Sequence, residues 1–227
     1  MRILESKHAN LALVELFPSL LLQVFWPDSQ ELNRNLVDMI LRRESLDKGI
    51  STTNVGGWHS KKDLQDWDDE STNILVDRIL AIGEVMNKRY FATKSAEQLE
   101  NWRVQAWANI NRFNAYNRFH THIRNGNLWS GIYYVDDGYD NEDDRALSTR
   151  TIFADQHGVE MRGDQTIKKR YSVQSKAGLM LLFPSSLGHR VEPHRGSRPR
   201  ISVAFNLKHE NFTTINYEIE KSNAAKK

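Results

Sequence analysis

The chain has 227 residues, enough for one large domain or two small ones and for a hydrophobic core that needs no covalent cross-links. It contains no cysteine, which excludes disulfides and thiolate metal sites. Lysine and arginine number 31 and aspartate and glutamate 29, so the formal net charge of +2 gives no electrostatic reason to expect a nucleic acid or a membrane as partner.

The N-terminal region lacks the pattern of a membrane or secretory segment. Its longest apolar stretch, residues 11–26, is interrupted by Glu15, Pro18 and Gln23 and is too short to span a bilayer. The first seven residues lack the apolar core of a secretory signal. With no cysteine present, a cytoplasmic location is the expectation.

Residues 13–26 are predicted to form one or two strands, divided at Pro18. A helix is predicted to begin at Ser29 and to continue to about Arg43, because its apolar residues recur at helical spacing. These residues are Leu32, Leu36, Met39 and Ile40. Residues 50–63 are polar and contain two consecutive glycines, which predicts a loop.

Within this loop, the cluster Gly57-Trp58-His59-Ser60 is a candidate to reach a functional site. A second helix is predicted over residues 71–91, after acidic residues that suit the positive end of a helix. Its predicted apolar face consists of Ile74, Ile79, Ile82, Val85, Met86 and Tyr90.

From residue 101 the hydrophobic period changes to two, which is typical of strands. The predicted strands are 102–113, 128–135, 149–153, 166–173, 179–183 and 200–207. Residues 136–144 are acidic and are predicted to form a solvated loop. Helices followed by many short strands favour an antiparallel β-barrel or jelly roll with an N-terminal helical buttress.

We therefore expect one domain over residues 1–227. A helical buttress with loops would occupy about residues 1–100, the jelly-roll core residues 101–210, and a C-terminal extension residues 211–227.

Two histidines one residue apart, His120 and His122, stand at the end of a predicted strand and share one face. This spacing is typical of metal ligands, although such pairs are more often structural. His189 follows the apolar strand 179–183 and a turn, so it is a candidate third ligand. The remaining histidines singled out, His157, His194 and His209, have no partner at metal-ligand spacing and are predicted to lie on the surface.

Arg200 begins the polar face of the last strand, and Ser202 follows on the same face. Burying an arginine is costly unless it meets an anion, and the planar guanidinium suits a carboxylate. In the strand 102–113, Asn109 lies on the same face as Trp107. Asn109 is a candidate contact for an anionic co-substrate, whereas a tryptophan in a strand belongs more often to the core than to a substrate site.

These motifs resemble those of the iron(II)- and 2-oxoglutarate-dependent oxygenases. The family has a double-stranded β-helix, the jelly-roll core, with the signature His-x-Asp, a distant His, and Arg-x-Ser about ten residues later. The residues that match are His120, His189, Arg200 and Ser202. Residues 130–135 resemble the next strand of the prolyl-hydroxylase-like branch.

The resemblance extends from about residue 17 to residue 206. Residues 178–191 are similar to a subgroup of small proteins known only as 2OG-Fe(II) oxygenases. In the prolyl-hydroxylase-like branch, a tyrosine that matches Tyr134 helps to hold 2-oxoglutarate.

One position departs from the family pattern, because His122 stands where the family has aspartate. A histidine ligand would make a site of three imidazoles, as in some dioxygenases that do not use 2-oxoglutarate. Alternatively, the His122 ring turns away and water completes the coordination. Halogenation is disfavoured, because His122 is too large to admit a halide.

The resemblance implies an oxygenase that uses Fe(II), 2-oxoglutarate and dioxygen to hydroxylate an unactivated carbon of a small molecule or amino-acid-like substrate. Iron would be held by His120, His189 and His122. The distal carboxylate of 2-oxoglutarate would be bound by Arg200 and Ser202. Tyr134 and Asn109 would assist and complete the candidate site.

Two alternatives remain: a three-histidine dioxygenase without 2-oxoglutarate, and a cupin-like module that binds a metal or an anion without turnover. The Arg200-Ile201-Ser202 motif argues against the first, since such an enzyme has no need of it. The sequence does not identify the substrate, and a homodimer remains open.

Overall fold

The computed structural model describes residues 19–91, 102–123, 126–140, 149–162 and 165–209. Within these ranges it contains two α-helices and eleven strands. The helices are α1 (Gln30–Leu46) and α2 (Glu70–Phe91). The strands are β1 (Leu22–Phe25), β2 (Asn54–Val55), β3 (Trp58–His59), β4 (Trp102–Asn111), β5 (Tyr116–His120), β6 (Asn127–Asp136), β7 (Arg150–Arg162), β8 (Gln165–Gln174), β9 (Leu179–Pro184), β10 (His189–Val191) and β11 (Arg200–His209).

The strands form two antiparallel sheets that face each other. The larger sheet has six strands in the order β1-β9-β6-β11-β4-β3, and the smaller has five in the order β2-β5-β10-β7-β8. Side chains from both sheets meet in one apolar cluster between them, for example Tyr134 and Phe183 with Phe153. This arrangement confirms the predicted jelly roll with N-terminal helices.

The main hydrophobic core lies on the outer face of the six-stranded sheet, where the two helices cover it. In β11, Ile201, Val203 and Phe205 point toward this core. Burial of such side chains is the chief stabilising contribution to the fold, at about 25 cal/mol per Å² of apolar surface. Gly131 permits the close packing, because a Cβ at this position would lie 2.1 Å from the Phe205 ring.

The inner face of the six-stranded sheet is polar where it faces the end of β5. Because side chains alternate along a strand, β11 sends Arg200 and Ser202 inward while their neighbours enter the helix-covered core. The two faces of β11 are therefore the ones that its sequence predicts.

Neither helix in the described ranges combines the length and apolar character needed to cross a bilayer.

The prediction that residues 50–63 form a loop is wrong in part, because this segment contains β2 and β3. Each strand has only two residues, too few to establish a hydrophobic period. Their pairing is long-range, with Trp58 and His59 opposite Ile110 and Asn109 of β4.

The predicted apolar face of α2 is right at three positions and wrong at two. Ile79, Ile82 and Met86 are buried as expected, but Leu75 is buried in place of Ile74, which is 39% exposed. Val85 is 57% exposed, because it lies beside the stripe that contacts the sheet. The side chain of Tyr90 lies outside the described residues, as do residues 13–18 of the first predicted strand.

The prediction that residues 136–144 form a solvated loop is wrong for part of the described segment, since Asp140 is exposed but its neighbours are buried. Asp137 and Tyr139 are 2% and 3% exposed. Arg198 holds this segment through ion pairs with Asp136 and Asp140, each 2.6 Å long. The acidic residues Asp136 and Asp140 therefore pair with Arg198, and Asp140 remains exposed while it does so.

Candidate metal centre and anion pocket

Three histidines from two distant parts of the chain meet in one cluster. His189 of β10 is the direct cross-strand partner of His120 of β5. The ring centroid of His120 lies 4.4 Å from that of His189 and 4.8 Å from that of His122. The centroids of His122 and His189 are 5.2 Å apart. One ligand nitrogen from each ring lies within 4.8 Å of the others. The cluster has the dimensions of a three-ligand metal site.

Hydrogen bonds from the ring to a backbone carbonyl define the tautomer of two of these histidines. The Nδ1 atom of His120 lies 2.7 Å from the carbonyl oxygen of Arg118, and Nδ1 of His189 lies 3.0 Å from that of Leu187. A carbonyl only accepts, so each neutral ring must donate its Nδ1–H. The lone pair is then on Nε2, where it is available to a metal.

His122 lies just beyond the end of β5, and its backbone is held on both sides. Its N–H donates to the Ser185 carbonyl at 2.8 Å, and its own carbonyl accepts from Asn127 Nδ2 at 2.9 Å. The ring also lies 5.6 Å from the Trp107 ring. The His122 ring is therefore turned into the cluster.

The three imidazoles are neutral at pH 7. Burial is the largest cause, and it lowers the pKa of His122 to about 2 and that of His189 to about 3. Repulsion between the rings adds to this effect on both residues, and burial also lowers the pKa of His120. Neutral imidazoles are the form that binds metal, so the donor set fits a divalent ion of the iron or zinc type.

Arg200 is 1% exposed and has no carboxylate of the described residues within 4.0 Å. Its Nε donates to Ser175 Oγ at 2.8 Å, and its Nη1 donates to Asn111 Oδ1 at 3.1 Å and to Ser202 Oγ at 3.2 Å. Nη2 is buried and has no hydrogen-bond partner among the described residues. Burial lowers the pKa of this guanidinium. A buried cation with an unused donor fits a bound carboxylate.

The histidine cluster and Arg200 open into the same cavity, which has a volume of about 160 Å³. Among the described residues, no aspartate or glutamate lines it. The lining residues are Thr52, Thr53, His59, Lys62, Trp107, Asn109, Asn117, His120, Thr121, His122, Gly131, Ile132, His189, Val191, Arg200, Ser202 and Ala204. Six of the seven predicted site residues are therefore brought together.

Tyr134 is the predicted site residue that does not line the cavity. It is fully buried, its hydroxyl lies 2.7 Å from Thr151 Oγ1, and its ring centroid lies 5.1 Å from the Arg200 guanidinium carbon. It is also the cross-strand partner of Ser202, which in turn pairs with Asn109. Tyr134 therefore packs against the Arg200 guanidinium and does not line the cavity.

Some residues of the cavity were not predicted from the sequence. His59 is 3% exposed and stacks on Trp107, with ring centroids 5.6 Å apart and planes within 8°. The signal was the cluster around Trp58, which was noted as a candidate to reach a site. Trp107, Lys62 and Asn117 carried no signal that distinguishes a cavity wall from an ordinary strand or surface position.

The prediction that His194 lies on the surface is wrong. Its side chain is fully buried, with Nδ1 2.7 Å from Thr149 Oγ1 and Nε2 2.8 Å from the Arg198 carbonyl. Because a carbonyl only accepts, Nε2 carries the hydrogen and the Thr149 hydroxyl donates to Nδ1. His209 is partly buried and its ring makes an edge contact with Trp102, and the side chain of His157 lies outside the described residues.

A family model with the description "Putative 2OG-Fe(II) oxygenase" matches residues 105–206. This range contains the three clustered histidines and the Arg200-Ile201-Ser202 motif. A search of curated proteins gave no match.

Solved structures share the fold at low sequence identity. A prolyl-4-hydroxylase from Pseudomonas putida is 15% identical, with a TM-score of 0.58 over 84% of this chain and 92% of that one. A prolyl hydroxylase from Trichoplax adhaerens, in complex with a peptide fragment of the hypoxia inducible factor oxygen degradation domain, is 11% identical with a TM-score of 0.53 over 86% of each chain.

The epimerase SnoN, in complex with Fe3+, alpha ketoglutarate and nogalamycin RO, is 11% identical, with a TM-score of 0.56 over 83% of this chain and 78% of that one. At these identities the likeness concerns the fold.

Proposed function

We propose that this chain is a 2OG-Fe(II) oxygenase that holds its iron and its co-substrate in this cavity. His120, His122 and His189 hold Fe(II) through neutral imidazole nitrogens, and Arg200 with Ser202 binds the distal carboxylate of 2-oxoglutarate. The observation that carries the proposal is that three clustered, uncharged histidines and a buried, incompletely paired arginine share one acid-free cavity.

Fe(II) with 2-oxoglutarate and dioxygen supplies the oxidising power, and 2-oxoglutarate ends as succinate and carbon dioxide. The substrate is a small molecule or a peptide, and the product we propose is a hydroxylated carbon. The chain contributes the ligands, the orientation of the co-substrate and the exclusion of water from a small cavity.

Arg200 is preorganised for this task. Three hydrogen bonds hold Nε and Nη1, and the Tyr134 ring lies behind the guanidinium, so its orientation is fixed before the co-substrate binds. The remaining donor, Nη2, is buried without a hydrogen-bond partner among the described residues, and it is the donor that we assign to the carboxylate. Asn109 lies beside Ser202 in the neighbouring strand and offers an amide to the same ligand.

The three-imidazole ligand set has an electrostatic consequence. A carboxylate ligand would offset part of the charge of Fe(II), whereas three neutral imidazoles leave all of it. A dianionic co-substrate then supplies the compensating charge. The absence of an acid from the described cavity wall is consistent with this arrangement.

The alternative of a three-histidine dioxygenase without 2-oxoglutarate rests on the ligand set alone. It leaves the burial of Arg200 without a reason, since desolvating an unpaired guanidinium costs several kcal/mol. A metal- or anion-binding module without turnover would share the geometry and differ in reactivity.

Turnover of 2-oxoglutarate in the absence of added substrate separates these functions. Succinate formation and oxygen consumption should both depend on Fe(II) in the wild-type protein and should be lost in His189→Ala and Arg200→Ala. The matched control is Arg198→Ala, which removes a surface arginine two residues from Arg200 and should retain turnover. Oxygen consumption that does not require 2-oxoglutarate would favour the three-histidine dioxygenase.

A further inference from the structure

A second cation, Lys62, stands on the wall of the same cavity. Its side chain is exposed, and its Nζ lies 4.5 Å from the centroid of the Trp107 ring. No carboxylate of the described residues pairs with it. The neighbouring Lys61, in contrast, lies 3.8 Å from Asp47. Lys62 is thus a positive group that faces the cavity without a counter-charge.

The position of Lys62 is fixed by the chain around it. Ser60 is tied to β4 by two hydrogen bonds, from its N–H to the Ala108 carbonyl and from the Ala108 N–H to Ser60 Oγ, each 3.0 Å long. The Trp107 ring is buried and packs against His59 and His122. The ring therefore serves as a rigid platform that holds the ammonium over the cavity.

The charges of the filled cavity do not balance without a further anion. The charge of 2-oxoglutarate equals that of Fe(II) and opposes it, so the positive charges of Arg200 and Lys62 remain. The buried Asp137 acts on Arg200 electrostatically, whereas no carboxylate of the described residues pairs with Lys62. An aspartate in place of His122 would have removed one of these charges. The described lining contains no acid to do so. A substrate with one negative group lowers this excess of positive charge.

The size and donors of the cavity indicate which anion fits. The cavity of about 160 Å³ must also hold the metal and 2-oxoglutarate, so only a small substrate group fits beside them. Besides Lys62, the cavity lining includes the neutral residues Thr52 and Thr53. One ammonium with neutral donors matches a singly charged carboxylate better than a doubly charged phosphate.

We propose that Lys62 binds the carboxylate of a small-molecule substrate at this wall of the cavity, with Trp107 holding the ammonium in place. This inference rests on the proposed function, because it assumes that Arg200 is occupied by 2-oxoglutarate. Lys62 is then a specificity-determining residue and takes no part in metal or co-substrate binding.

The probe is acetate, the smallest stable organic carboxylate, with acetamide as its neutral isostere. Protein is loaded with Mn(II) and saturated with 2-oxoglutarate, and the broadening of the probe's methyl NMR signal by the metal is followed as the probe is titrated. Because Lys62 is partly solvated, we expect acetate to bind about fivefold more tightly than acetamide. Lys62→Met should abolish the preference, and Lys62→Arg should retain it.

The control is Lys61→Met, which removes the adjacent exposed lysine and should keep the preference. Equal affinity for acetate and acetamide, no binding of acetate, or an undiminished preference in Lys62→Met would each overturn the inference. The binding of 2-oxoglutarate to the Mn(II)-loaded protein is measured before the probe is added, and this step tests the proposed function separately. Failure of 2-oxoglutarate to bind Mn(II)-loaded protein would contradict that function, whatever the acetate arm shows.

Discussion

His120 and His189 face each other directly across the antiparallel pair of β5 and β10, with ring centroids 4.4 Å apart. Each ring is oriented by a hydrogen bond from Nδ1 to a backbone carbonyl two residues earlier in the chain. The same kind of hydrogen bond thus leaves both Nε2 atoms available to a metal, so the pair supplies two of the three proposed ligands in a fixed orientation.

His189→Ala should abolish specific metal binding. Loss of a second-shell partner typically costs roughly 10- to 100-fold in metal affinity, and loss of a ligand should exceed that range. Calorimetric titration of Mn(II) or Zn(II) into metal-free protein measures the effect. The matched control is His59→Gln, which alters a buried histidine of the same cavity outside the proposed ligand set. Its affinity should stay within about threefold of wild type. An unchanged affinity in His189→Ala would remove His189 from the site.

His122→Asp and His122→Ala together test whether His122 is a ligand. The aspartate variant should retain iron, because it restores a carboxylate that binds hard cations well. The alanine variant should lose affinity, because only two imidazoles remain. Metal affinity and 2-oxoglutarate turnover are measured for both. Wild-type affinity in His122→Ala would mean that the site has two histidines completed by water.

Arg200→Ala should weaken 2-oxoglutarate binding by about 1.5 to 3 kcal/mol, near ten- to a hundredfold, because one charge-assisted contact is lost. Calorimetry with Zn(II) in place of Fe(II) isolates binding from turnover. Arg198→Ala is the control, since its ion pairs with Asp136 and Asp140 lie outside the cavity lining. Equal affinities of Arg200→Ala and wild type would place the anion site elsewhere.

His194 should make the stability of the metal-free protein depend on pH. Burial lowers its pKa in the folded state, whereas in the unfolded chain the value is near 6.5. Below about pH 6.5 the unfolded state therefore takes up a proton that the folded state refuses, and stability falls as the pH falls. Above that pH the contribution of His194 is fully present.

Urea unfolding of wild type and His194→Gln at pH 7.5 and pH 5.5 measures this contribution. The variant should be less stable at pH 7.5, because the hydrogen bonds to Thr149 and to the Arg198 carbonyl are impaired. The difference in free energy of unfolding should shrink at pH 5.5, by up to about 1.4 kcal/mol per pH unit. A difference that is the same at both pH values would show that His194 does not titrate differently in the two states.

The faces of the long strands were predictable, because alternation along β11 alone separates Arg200 and Ser202 from Ile201 and Val203. The pair His120 and His122 was visible for the same reason. His189 was a candidate ligand from its place after the strand 179–183, and the family resemblance supported it. Its direct pairing with His120 could not be predicted, since cross-strand partners far apart in sequence leave no local signal.

The other features that the sequence did not predict also depend on contacts between residues far apart in the chain. Two-residue strands such as β2 and β3 exist only because β5 and β4 provide their hydrogen-bond partners. His194 is buried because Thr149 and the Arg198 carbonyl satisfy it, and Thr149 is distant in sequence. The contact of Lys62 with Trp107 likewise depends on the anchoring of Ser60 to β4.

The most direct test of the central claim is the binding of 2-oxoglutarate to wild-type protein with and without Zn(II). If the three histidines and Arg200 form one site, the metal and the distal carboxylate bind the same molecule. Affinity should then rise by at least about tenfold when the metal is present, which corresponds to about 1.4 kcal/mol. Equal affinity with and without metal, or no binding in either state, would contradict the account.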